Sequence, residues 1–346
     1  MISIVSNDKM TFIDIIKEAF RQKKWNYYSD EFIEKLNIEK PDDCREFIRK
    51  FFAVSGKAGE LNNINVIKSL TDERCQHIVY VFLLGVGVYN KSVGVKSLID
   101  EQIQQYVECY KCKSDVNFYF IWFLCCLFHD LGYQVENSDK PVGKLAFAKG
   151  QNLIGVPKVF DKKTIENYWD YRQKCHKMND HGIYAGITMY KSLCDIRSEQ
   201  EKNSWKNDKI CWEKELEHIY NIASWVVLCH NIWFVQKNEK CNCELYEKFN
   251  LNSLVLEKDK HKIKIDRHPL LFFFCLIDTI EPIKTVKDSS LLEQIHISFG
   301  EKEIVISSNL KCGCGDKYLK DVGDLNDWLT KTKREDNQVK IALDLK

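Results

Sequence analysis

An excess of charge of either sign is missing from this chain: 51 Lys and Arg face 50 Asp and Glu over 346 residues, a formal net charge of +1. Without a net field there is no footprint for an extended nucleic acid or a membrane surface, so an anionic ligand must be attracted locally. Proline is scarce as well. Between about residues 65 and 290 the chain meets only Pro141, Pro157 and Pro269 before Pro282 closes the stretch. Uninterrupted apolar runs reach about 13 residues, short of the roughly 20 that a helix needs to cross a hydrocarbon layer. The opening MISIVSNDKM lacks the basic start and apolar core of a secretory signal. Fifteen cysteines are about 4% of the chain, too few for a disulfide scaffold of this length. Cys125, Cys126, Cys229 and Cys275 sit inside apolar runs, where free thiols behave as small hydrophobes. These absences point to a cytoplasmic protein in a reducing compartment, with no membrane partner.

What is present is ordinary globular composition, 45% hydrophobic, 29% charged and 12% aromatic. The length allows two domains, or one large helical domain with appendages. Residues 1–64 read as a helical N-terminal extension of short amphipathic segments, with Ser29-Asp30 and Asp42-Asp43 as N-caps and Gly56 as a stop. Residues 65–290 carry the apolar runs and are expected to form a helical domain. Residues 291–346 are expected to form a small α+β element, with IHISFGEKEIVIS as a β-hairpin and VGDLNDWLTKTK as a last helix.

Four apolar runs each carry ligand-type residues where core is expected. FIWFLCCLFHDLGYQVE holds His129 and Asp130, HIVYVFLLGVGVY opens on His77, IASWVVLCHNIWFV holds His230, and PLLFFFCLIDTIEP holds Asp278. Stepping back at helical spacing from His129 meets Cys126, Cys125 and Trp122; from His230 it meets Val227, Val226 and Ala223; from Asp278 it meets Cys275, Phe274 and Leu271. Each polar group therefore shares a face with core residues, and a buried carboxylate without a compensating cation is costly. NDHGIYAGITMYKSL adds His181 behind the cap Asp180, with His176 five residues earlier as the alternative, and Gly182, Ala185 and Gly186 permit close helix approach. The ordered set His77, His129-Asp130, His181, His230, Asp278 recurs at intervals of about 50 residues. Four imidazoles and two carboxylates suit two divalent metals sharing a carboxylate, with Fe, Mn, Zn, Co or Mg as the cofactor class. The expectation is convergence on one site.

This H…HD…H…H…D order, with HDLG after a hydrophobic helix, DHG opening another and DTIEP near the end, resembles the HD-domain metal-dependent phosphohydrolase superfamily over residues about 70–285. The resemblance implies a mainly α fold, an HD-domain-like helical bundle followed by the small C-terminal α+β appendage. It implies that His77, His129, Asp130 and Asp278 hold one metal, and that His181 and His230 hold a second, with Asp130 as bridge and central catalytic residue. The activity implied is hydrolysis of a phosphate ester or anhydride, with a nucleotide or other small phosphorylated metabolite as substrate. Arg74 and Lys284 are candidates for contacting phosphate oxygens. Two alternatives share the scaffold: a di-iron oxygenase and a non-catalytic nucleotide-binding sensor.

Two features stand outside that set. Residues 137–180 are polar and lysine-rich, a segment long enough to cover a site or to be a solvated insert. Cys241-Asn242-Cys243 and Cys312-Gly313-Cys314 offer four thiolates for a zinc ion, although CxC replaces the usual CxxC and chance pairing competes.

Overall fold

The computed structural model describes residues 9–54, 70–136, 155–203, 215–232, 242–254 and 263–345, apart from a few positions inside those ranges. In chain order the elements begin with β1 (Met10–Thr11), α1 (Phe12–Arg21), α2 (Asp30–Lys35), α3 (Pro41–Val54), α4 (Asp72–Lys91), α5 (Val93–Tyr110), α6 (Phe118–Phe128) and α7 (Tyr133–Glu136). They continue with α8 (Lys162–Tyr171), a π turn (Arg172–His176), α9 (His181–Asn203), α10 (Leu216–Cys229), α11 (Asn242–Lys248), α12 (Pro269–Ile280) and α13 (Ile283–Val286). The C-terminal part holds β2 (Ile295–Phe299), β3 (Glu303–Ser308), α14 (Gly313–Gly323), β4 (Thr332–Glu335) and β5 (Gln338–Ala342). The protein is thus mainly helical with a small antiparallel sheet.

Two compact units interleave along the chain. The first comprises Met1–Val54, Thr71–Gln102 and Lys264–Lys346. Its central element is α4, started by Thr71, whose hydroxyl accepts from the Arg74 amide at 3.4 Å, and by acidic residues in the first turn, which favour the positive end of the helix. From His77 to Tyr89 every residue of α4 is buried, so this helix is covered on all sides rather than amphipathic. It packs against α1, α3 and α12. Helix α12 begins at Pro269, a residue whose fixed φ and missing amide suit a first turn, and it ends by placing Asp278 and then Glu281 beside α4. The sheet runs β1-β2-β3-β5-β4, all antiparallel. Ile297 pairs with Ile306, which pairs with Val339, and all three are buried, so alternate residues form one apolar face. Helix α14 packs on this sheet, and its Tyr318 hydroxyl donates to the Ile280 carbonyl at 2.7 Å, tying the end of α12 down.

The β2–β3 hairpin forms as expected. The helix expected over VGDLNDWLTKTK does not: α14 closes at Gly323, a 3-10 turn covers Asp324–Asp327, and Thr332–Glu335 is an edge strand.

The second unit comprises Ser55–Leu70 and Ile103–Ile263. Asn117 caps α6 by accepting from the Phe120 amide at 3.2 Å, and every residue of the helix except the half-buried Tyr119 is buried. Burial pushes the Cys125 thiol above its usual range, as expected of a cysteine acting as a hydrophobe. Asp180 caps α9, its carboxylate accepting from the Ile183 amide at 2.9 Å. Helices α9 and α10 run in close contact, and a Cβ on Gly186 would lie 2.5 Å from the Ser224 carbonyl oxygen. Only small residues permit that approach.

Among the described residues, Phe118–Glu136 is a helical stretch long and apolar enough to cross a membrane, with 78% of its window buried inside the protein. It exceeds the run read from sequence because the turn at His129–Gly132 and α7 extend it. A bent pair, α4 and α5, also passes when its two helices are taken together, with an angle of 105° between them. Gly56, most of the lysine-rich stretch before residue 155, and His261 lie outside the described residues.

Candidate functional site

In the first unit, His77 stands between two carboxylates. It is 2% exposed, on the second turn of α4. Its Nδ1 lies 2.7 Å from Glu281 Oε2 and its Nε2 lies 3.3 Å from Asp278 Oδ1. Glu281 has no exposed side chain, and its other oxygen, Oε1, accepts from the Ile283 amide at 2.8 Å. Asp278 Oδ1 is also 2.8 Å from Lys284 Nζ. Burial and the Lys284 charge push the His77 pKa down, but the hydrogen bonds to Asp278 and Glu281 outweigh them and the net direction is up. Two acceptors facing one ring are satisfied by an imidazolium, by a neutral ring with one carboxyl protonated, or by a neutral ring with a cation shared by Nε2 and Asp278.

In the second unit, three imidazoles cluster. His129 and His230 are the C-cap residues of α6 and α10, and each directs Nδ1 at the carbonyl three residues back. That partner is Cys126 for His129, at 2.7 Å, and Val227 for His230. The last carbonyls of a helix have no amide partner of their own, so a ring at the C-cap satisfies one of them and is oriented by it. The His129 and His230 ring centres are 5.6 Å apart, and those of His181 and His230 are 5.4 Å apart. Asp130 follows His129 directly, is buried, and places Oδ1 3.2 Å from His129 Nε2.

His181 opens α9. Its Nδ1 lies 3.0 Å from Glu136 Oε1, its ring stacks on Tyr133 at 3.8 Å, and its Nε2 meets the Asn231 side-chain amide. Asn179 explains the placement of Glu136: its amide donates to the Glu136 carbonyl at 2.9 Å, and its side chain donates to the Val135 carbonyl at 2.6 Å. Arg172, in the π turn, reaches Glu136 Oε1 at 3.3 Å and Asp180 Oδ2 at 3.9 Å. His176, the alternative weighed against His181, is half-buried and lies 2.9 Å from the Tyr171 hydroxyl.

Taken by unit, the structure brings His77 together with Asp278, and His129 together with Asp130, His181 and His230. Lys284 is placed on Asp278 itself. Arg74 lies in the first turn of α4, half-buried, three residues before His77. Sequence reasoning passed over Glu281 and Glu136. Both stood in quoted motifs, as the fourth residue of DTIEP and the last of FIWFLCCLFHDLGYQVE, but neither follows the helical spacing used to select candidates. Asn231 and Tyr133 carried no separate signal. Of the four cysteines weighed as a zinc clamp, Cys241, Cys312 and the side chain of Cys243 lie outside the described residues, and Cys314 is disulfide-bonded.

The donors in both units are nitrogen and oxygen atoms of His, Asp and Glu, all buried except the partly exposed Asp278, a set that could hold a borderline or hard divalent ion. No protein-family model matches the chain, and no match is found among curated proteins or solved structures.

Proposed function

We propose that this chain is a metal-dependent phosphohydrolase acting on a nucleotide or another small phosphorylated metabolite. The observation that carries the reading is common to all four histidines: every Nδ1 faces an acceptor, Glu281 for His77, the Cys126 carbonyl for His129, Glu136 for His181 and the Val227 carbonyl for His230. Each ring is thereby oriented by its Nδ1 contact, with Nε2 as the nitrogen that would meet a metal ion, the arrangement that metal-binding histidines share.

In this reading His77 and Asp278 of the first unit, and His129, Asp130, His181 and His230 of the second, are the residues that would hold the divalent ions. Bound there, divalent ions supply Lewis acidity toward a phosphoryl group and acidify water toward neutrality. The chain's own part is to hold donors in place and to receive the substrate's charge. Asp130 is the carboxylate placed directly beside a histidine donor. Lys284 carries an ammonium that exchanges its contact with Asp278 for a phosphate oxygen when that carboxylate is otherwise occupied. Arg74 is the second cation assigned to phosphate. The near-zero net charge favours a small substrate over a polymer, because no broad basic surface is available for one.

The test is turnover of mono-, di- and cyclic nucleotides by the purified chain after loading with Mn or Fe, with oxygen uptake followed in parallel. Phosphate or nucleotide release that disappears in Asp130→Ala supports the reading. Oxygen consumption with iron and no hydrolysis would replace it with an oxygenase, and nucleotide binding without turnover under every metal would replace it with a sensor.

A further inference from the structure

Glu281 differs from the other groups that orient histidines here because both of its oxygens face nitrogen. Oε2 lies 2.7 Å from His77 Nδ1, and Oε1 accepts the Ile283 amide proton at 2.8 Å. We propose that Glu281 is a positioning residue whose carboxylate fixes His77 as the Nδ1–H tautomer and so commits His77 Nε2 to a cation shared with Asp278. This deepens the metal-dependent reading and rests on it for the cation, while the tautomer itself is a property of the metal-free chain.

The Ile283 N–H is obligatorily a donor, so Oε1 must be an acceptor. If Oε2 also accepts, His77 carries a proton on Nδ1; Nε2 then presents a lone pair to a bound cation, or carries a second proton toward Asp278 where no cation is bound. The competing arrangement puts a proton on Oε2, which donates to Nδ1 and leaves N–H on Nε2 pointing at Asp278. The observed lengths favour the first: 2.7 Å is typical of a charge-assisted contact, whereas the 3.3 Å from Nε2 to Asp278 is long for one. Asp278 already has a nearer cationic donor in Lys284 at 2.8 Å. The backbone locks the arrangement. Glu281 caps α12 in an extended conformation, its own amide donates to the Ile277 carbonyl, Pro282 follows with no amide to satisfy, and Tyr318 holds the neighbouring Ile280 carbonyl. Glutamine cannot reproduce this geometry, since one of its two polar atoms is an NH2 group that would have to face either the Ile283 N–H or the His77 Nδ1–H.

The decisive experiment is long-range 1H–15N correlation of the imidazole nitrogens in the metal-free, full-length wild-type chain at pH 8, with His77 assigned by its loss in His77→Gln, followed by titration with Mn and Zn. The expected result is a protonated Nδ1 for His77 in the metal-free chain, with Nε2 unprotonated once Zn is bound, and loss of the Nδ1 proton in Glu281→Gln. Mn and Zn affinity is expected to fall by roughly 10- to 100-fold in the same variant, with helix content unchanged by circular dichroism. A His77 that carries its only proton on Nε2 in the wild type overturns the proposal, as does a folded Glu281→Gln with unchanged Nδ1 protonation and affinity. Should Glu281→Gln fail to fold, the wild-type spectrum decides alone. A wild-type chain with the expected tautomer and no affinity for either metal would instead sink the functional reading while leaving the tautomer assignment standing.

Discussion

A Cβ built on Gly132 would stand 1.9 Å from the carbonyl oxygen of His181 and 2.4 Å from its Cα. The turn that follows the His129-Asp130 pair is therefore pressed against the backbone that begins α9, and the glycine of HDLG is needed for that approach. Gly132→Ala cannot be absorbed by a flexible side chain, because the atoms it meets are main chain. It is expected to destabilise the second unit by about 1–3 kcal/mol, the usual range for overpacking, and to displace His181. Urea midpoints of the variant and wild type check the first effect; an unchanged midpoint would mean that the two segments separate freely.

Glu136 offers a contrast with Glu281. Its Oε1 receives both His181 and Arg172, and the carbonyl oxygen of a glutamine can do the same. Glu136→Gln is expected to keep most metal affinity, whereas Glu136→Ala, which leaves both donors without that acceptor, is expected to lower it roughly 10- to 100-fold. Isothermal titration with Mn on the two variants distinguishes them, and equal losses would show that charge rather than hydrogen bonding matters at this position.

In the proposed reading Lys284 contacts the substrate's phosphate. Lys284→Met is expected to raise KM for a phosphorylated substrate about 10-fold, in keeping with loss of one charged hydrogen bond of about 1.5 kcal/mol, while bound metal per chain stays constant. A fall in metal content with KM unchanged would reassign the lysine to the stability of the Asp278 contact.

The pH dependence of stability has an identifiable contributor in His268, which precedes α12. Its Nδ1 accepts the Lys264 amide at 3.2 Å, a role open only to a neutral ring, and burial followed by the Arg267 charge lowers its pKa to about 4. The folded pKa lies below the unfolded value of about 6.5, so the unfolded chain takes up a proton first as pH falls. Stability present above pH 6.5 is then lost between about 6.5 and 4, by something on the order of 2–3 kcal/mol. Carboxylates titrate in the same window, so the quantity to read is the difference between wild type and His268→Gln: the variant's urea midpoint is expected to fall less on going from pH 7 to pH 4.5. Parallel losses would remove His268 from the account.

Much of this fold is legible locally. Thr71, Asn117 and Asp180 are short polar residues placed just before apolar periodicity, and each accepts a first-turn amide as an N-cap should. The β2–β3 hairpin shows its alternation. The remaining strands do not, for physical reasons. β1 is two residues long and exists through pairing with β2, far away in sequence, and β4 is a charged edge strand, TKRE, whose composition carries no strand signal. At the site, the helical-spacing argument selected His129 and His230 as residues on helical faces. They are helix-ending residues instead, and what orients them is the unsatisfied carbonyl of the helix that each one closes. Glu281 lay beyond the end of α12, where apolar periodicity has nothing to say, and only its contact with α4 reveals it. Among the other described histidines, His218 is exposed and stacks on Tyr110, while His268 and His296 are partly buried.

The choice between His181 and His176 is open to a direct test. Removing His181 is expected to lower bound Mn from about two ions to about one per chain, as loss of one terminal donor set would, whereas His176→Ala leaves the stoichiometry unchanged. The reverse outcome would move the donor into the π turn.

The measurement that bears most directly on the central claim is elemental analysis of the purified full-length chain after equilibration with Mn and removal of free ion, carried out beside Asp130→Ala. Four rings oriented through Nδ1, together with Asp130 and Asp278, predict about two retained ions per wild-type chain and their loss from the variant while helix content persists. A wild-type chain that retains no divalent ion, or an Asp130→Ala chain that retains the full complement, would contradict it.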